Sequence, residues 1–108
     1  MQRLRLGRGE LESLRRLKRL LAGLGGDELR AFGYIWDNIS VGEIIYERDL
    51  FRRYGIEKPH YIARRLRELG LIERGEGCYN LARWLRPLRR RVKHFTQLLR
   101  MMDRLVVL

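Results

Sequence analysis

The sequence predicts one small α+β domain, mainly α with a small β-hairpin, and three observations carry that expectation. At 108 residues and 13.0 kDa the chain has the length for one modest core and is too short to divide into two. Leucines and aromatics recur at steps of three and four residues through most of it, the period of helices with one buried face. Two short apolar runs, Leu71 to Arg74 and Cys78 to Leu81, flank the turn Gly75-Glu76-Gly77, which is hairpin spacing with hairpin turn chemistry.

Taken in order, "MQRLRLGRG" is a basic arm that interleaves leucine with arginine. Glu10 to Leu24 follows as a helix, with Leu11, Leu14, Leu17, Leu21 and Leu24 on one stripe and Arg15, Arg16 and Arg19 opposite; Gly23, Gly25 and Gly26 end it. Asp27 is expected to cap a second helix whose Leu29, Phe32, Ile35, Trp36 and Ile39 face the core, with a break at Ser40 to Gly42. "EIIYE", Glu43 to Glu47, alternates briefly and is expected to add one short strand to a sheet completed elsewhere. A third helix, Arg48 to Tyr54, offers Leu50, Phe51 and Tyr54 to the interior before Gly55 closes it.

The fourth helix starts at Pro59, whose fixed φ and missing N–H suit a first turn, and ends at Gly70. At about 100° per residue, Ile62, Ala63, Leu66 and Leu69 share one face, while His60, Tyr61, Arg64 and Glu68 take the other, with Arg65 and Arg67 at its flanks. From Pro87 onward, Leu88, Val92, Phe95, Leu99, Met102 and Val106 follow the four-three alternation of a heptad seam. Such a seam calls for a partner helix, either the chain's own leucine-striped helix Glu10 to Leu24 or a second copy, and a homodimer is the expectation. The chain therefore divides into a basic arm and helix (1–26), a central motif (27–82) and a heptad-patterned C-terminal helix (83–108).

Charge narrows the partner. Lys plus Arg number 24 against 13 acids, and all but Lys18, Lys58 and Lys93 of those bases are arginine, for a net charge of +11. That excess points to an anionic partner, nucleic acid first and an acidic membrane surface second. Arginine excess with a single cysteine also suits growth at high temperature. The excess is uneven: residues 27–57 hold seven acids against four bases, whereas 81–108 hold eight bases against one acid. The acidic central stretch could equally be a docking surface for a basic protein partner.

Other classes are disfavoured. No stretch approaches the roughly 20 apolar residues of a membrane span, and the basic N-terminus lacks a secretory core, so a cytoplasmic, nucleoid-associated protein is expected. Cys78 is the only cysteine, and His60 and His94 have no ligand-spaced partners, so no metal and no cofactor is expected. With no glycine-rich phosphate loop, paired carboxylates or nucleophile elbow, the chain is not expected to be an enzyme.

The order strand, two helices joined by a glycine-containing turn, hairpin, together with "LRELGLIERGEGCYNL" from Leu66 to Leu81, resembles the winged helix-turn-helix family. The likeness is to small bacterial and archaeal transcription regulators of the MarR, ArsR and PadR kind, and it spans about Asp27 to Ala82. It implies that Pro59 to Leu69 is a recognition helix for the major groove of double-stranded DNA and that the hairpin is the wing. His60, Tyr61, Arg64, Arg65 and Arg67 would then contact bases or phosphates, with Arg74 the only base on a short wing between Glu73 and Glu76. "RPLRRRVK" adds Arg89, Arg90 and Arg91 as phosphate contacts, and Arg3 and Arg5 extend the interface through the arm. The leading expectation is a homodimeric DNA-binding transcription regulator. The second is a winged-helix adaptor that docks a protein or RNA partner in a replication, transcription or ribonucleoprotein complex.

Overall fold

A computed structural model describes residues 6–105; Arg3 and Arg5 of the arm and Val106 of the seam lie outside the described residues. Six helices and a small sheet follow one another as α1 (Arg8–Ala22), α2 (Gly26–Asp37), β1 (Val41–Gly42), α3 (Glu43–Tyr54), α4 (Pro59–Glu68), β2 (Ile72–Arg74), β3 (Cys78–Leu81), α5 (Arg86–Arg91) and α6 (Phe95–Asp103), with a short 3₁₀ turn at Arg83–Leu85. The architecture is α+β and helix-rich.

The core forms around α2, where Ala31 through Trp36 are all buried, so this stretch of the helix is surrounded on every side. Its caps differ from the expected ones: the Glu28 carboxylate accepts the N–H of Gly25 at 2.9 Å, while Asp27 lies inside the first turn and pairs with Arg30. Tyr34 and Asp49 join α2 to α3 at 2.6 Å, and the Tyr46 hydroxyl donates to the Pro59 carbonyl at 2.8 Å, joining α3 to α4. The sheet is antiparallel in the order β1-β3-β2, with Val41 opposite Tyr79 and Arg74 opposite Tyr79 on the other side. The turn Gly75–Gly77 closes the hairpin, and Gly77 takes φ 67°, a conformation that only glycine adopts at little cost.

Three expectations are corrected. The edge strand is Val41–Gly42, not Glu43 to Glu47, which instead opens α3. The physical reason is that Tyr46 and Leu50, four residues apart, are the apolar pair that the core takes in, so a helical period wins over a short alternation. As a result Phe51 and Tyr54, expected inside, are exposed; Ile39, also expected inside, is exposed because α2 ends before it at Asp37.

The third correction concerns the C-terminal helix, which is broken into α5 and α6 by extended residues at Val92 and His94. The break is stabilised from α2: the Val92 carbonyl accepts the Trp36 indole N–H at 2.9 Å, and the Asp37 carboxylate accepts the Phe95 N–H at 2.8 Å, capping α6. A continuous heptad seam therefore does not exist. Leu88, Val92, Phe95 and Met102 are buried in the chain's own core, Leu99 is half-buried, and Leu98 is fully buried beside them. On α1, Leu14, Leu17 and Leu21 supply the facing apolar stripe, and the Lys18 ammonium donates to the carbonyls of Met102 and Leu105 at 2.8 and 2.7 Å. A cation thus neutralises the negative end of α6.

Candidate functional site

Two surfaces stand out, one on α4 and one on α3. Helix α4 buries Pro59, Ala63 and Leu66, and this anchoring leaves His60, Tyr61, Arg64, Arg65, Arg67 and Glu68 exposed. The His60 and Tyr61 rings lie 4.5 Å apart between centroids, and the Lys58 ammonium stands 5.5 Å over the Tyr61 ring. Among the described residues neither Arg64 nor Arg67 has an acidic partner at ion-pair distance. Both have guanidinium groups free to donate to phosphate or to a carboxylate.

Carboxylates crowd the ground beside them. The concave space of about 530 Å³ between α4, α3 and the sheet is lined by Arg64, Arg67 and Arg74 together with Glu43 and Glu47. Arg74 is held by both oxygens of Glu43, and this carboxylate keeps its guanidinium protonated beyond the usual range. Tyr79, at the back of the same space, has its phenol pushed up chiefly by burial and then by Glu43. Arg64 and Arg67, which no carboxylate holds at ion-pair distance among the described residues, therefore favour an anion along the ridge of α4, whereas Arg74 is already neutralised by Glu43.

The remaining basic residues of the sequence analysis are scattered. Arg65 pairs with Glu28 at 3.3 Å, and Arg91 pairs with Glu10 at 3.4 Å, linking α5 to α1. Arg89 donates from Nε to the Trp36 carbonyl at 2.8 Å, a bond that fixes α5 to α2, while Arg90 is exposed. Arg86, beside them, holds Glu73 of β2 and the Leu81 carbonyl. The structure thus brings His60, Tyr61, Arg64, Arg67 and Arg74 to one side of the molecule and uses Arg65, Arg89 and Arg91 to join its elements.

The second surface escaped the sequence reading. On α3, Ile44 is 83% exposed, Phe51 57%, Ile45 47% and Tyr54 42%. Ile44 and Phe51 are seven residues apart and project together, opposite the buried Tyr46 and Leu50. The signal that reveals them is the pair Tyr46 and Leu50: once a helix is taken to begin at Glu43, its inward face is determined, and the two isoleucines and Phe51 cannot share it. Two exposed isoleucines and a phenylalanine on one short helix are unusual unless something covers them.

A model of the family described as PolB1 Binding Protein 2 matches residues 26–87, more than half of the chain. The chain belongs to the PolB1 Binding Protein 2 family. The region matched to PolB1 Binding Protein 2 runs from the start of α2 into α5, so it contains both surfaces, whereas α1 and α6 lie outside it. No curated protein matches the chain. Among the described residues, no helix is long and apolar enough to cross a membrane.

Proposed function

We propose that this protein is a winged-helix docking subunit of a replication complex, and that its partner is the DNA polymerase PolB1 named in the family description. The observation that carries the proposal is the family match over 26–87, which covers the elements α2 to β3 in the order of a winged helix. The match supports the adaptor, the second of the two readings the sequence offers, over the homodimeric transcription regulator. The intrachain burial of the seam at Leu88, Val92, Phe95 and Met102 weighs the same way, since it removes the main reason to expect a dimer.

Duplex DNA contact through α4 remains part of the proposal. It is favoured by the unpaired Arg64 and Arg67 beside His60 and Tyr61 and by a net charge of +11. In a polymerase complex that face would track the backbone of the duplex, with Arg64 and Arg67 donating to phosphates.

The experiment is to mix the purified full chain with purified PolB1 and determine the mass of the eluting species by size exclusion with light scattering. A species of summed mass supports the proposal. Separate elution at low and moderate salt refutes it.

A further inference from the structure

We propose that the outward face of α3 is the surface that docks the polymerase, taking an apolar ridge of that partner whose edge carries Asp or Glu. The inference rests on the reading of the preceding subsection and specifies the surface and the chemistry it recognises. The face consists of the stripe Ile44, Arg48, Phe51, with Ile45 and Arg52 on one flank and Glu47 on the other.

Two arguments assign the occupant. The first is chemical. Isoleucine and phenylalanine side chains have no hydrogen-bond donors, so a phosphate backbone gains nothing from Ile44 and Ile45, whereas a protein ridge removes their apolar surface from water. The second is charge. Arg48 lies at the middle of the stripe and makes only a 3.3 Å contact to the adjacent Asp49, with its side chain about half exposed. Arg52 has no ion pair among the described residues. Glu47 borders the stripe on the side away from Arg52, so the two cations Arg48 and Arg52 face one edge, and that edge matches a partner ridge that carries carboxylates there.

The test uses the full chain, purified PolB1 and two double variants confined to exposed positions. Ile44→Ser with Phe51→Ser removes the apolar stripe, and Arg48→Glu with Arg52→Glu reverses the charge. Calorimetry at low and high salt gives Kd for each, with circular dichroism confirming the fold. The apolar variant is expected to weaken binding about tenfold or more, as truncation of central anchors does. The charge variant should lose most at low salt and recover part of the loss at high salt, where the new repulsion is screened.

Binding by both variants at the wild-type affinity overturns the inference and leaves the proposed function standing, with docking through another surface. No complex with the wild-type chain overturns the proposed function, and the inference falls with it. A free chain that is a stable dimer, and becomes monomeric in the apolar variant, overturns the inference by assigning the stripe to a second copy.

Discussion

Replacing Gly33 by alanine tests the packing that folds the C-terminus back on α2. A Cβ at that position would stand 2.5 Å from Cδ2 and 2.9 Å from Cε2 of Phe95, so the ring must move. Two effects oppose each other. Alanine in a helix interior is favoured over glycine by about 1 kcal/mol. Overpacking a filled core costs about 1–3 kcal/mol, and Phe95 has little room to retreat because its N–H is fixed to Asp37 and its ring stacks edge-on against Phe32, centroids 5.7 Å apart. Gly33→Ala is therefore expected to destabilise by up to about 2 kcal/mol, the surplus of overpacking over helix propensity. The decisive quantity is the sign in a second background. With Phe95→Leu the ring is gone, the propensity gain is all that remains, and Gly33→Ala should become stabilising by up to about 1 kcal/mol. Urea unfolding of the four proteins followed by circular dichroism gives both values. The same sign in both backgrounds would refute the close approach of α6 to α2.

Three further outcomes are expected. Lys18→Ala removes the cation that donates to the Met102 and Leu105 carbonyls and should cost about 1–2 kcal/mol, with faster amide exchange confined first to the last turn of α6; unchanged exchange there counts against the bond. Asp49 is held below the usual carboxylate range, first by the Tyr34 hydroxyl and then by Arg48, while burial and Asp49 push the Tyr34 phenol up to about 12. A depressed native pKa stabilises the fold above the unfolded carboxylate value, and that contribution is lost as pH falls through the native value, so Tyr34→Phe should raise the Asp49 midpoint in an NMR titration and flatten the acid loss of stability. Arg64→Ala with Arg67→Ala should weaken binding to random-sequence duplex DNA and reduce the slope of log K against log salt by about two, one for each phosphate contact removed; an unchanged slope would remove α4 from the DNA interface.

Much of the fold was legible because its causes are local. The leucine spacing of α1, the alternation of core and basic residues on α4 and the Gly75–Gly77 turn each express short-range geometry, and Leu14, Leu17, Ala63 and Leu66 are buried as their spacing requires. The exposed face of α4 was legible for the same reason: a helix that buries Ala63 and Leu66 must turn Arg64 and Arg67 outward. Other features were not, because each depended on a competition that spacing does not record. The brief alternation of Glu43 to Glu47 predicts a short strand, whereas burial of Tyr46 and Leu50 on one helical face, with the Tyr46 hydroxyl bound to the Pro59 carbonyl, makes it the start of α3. Arg65, Arg89 and Arg91 look like any other basic residue in the sequence, yet they are held by Glu28, the Trp36 carbonyl and Glu10 from distant segments.

By itself the sequence determined that this is a small, arginine-rich α+β protein with striped helices, a tight hairpin and a basic helix ahead of it, since composition, period and turn chemistry are properties of neighbouring residues. Only the tertiary structure decided that the C-terminal stripe closes on its own chain and that Ile44 and Phe51 face outward. An apolar period states that a face must be covered. What covers it depends on which surfaces the rest of the chain brings near: here Trp36 and Gly33 of α2 receive Val92 and Phe95, and the described residues leave the outer face of α3 open.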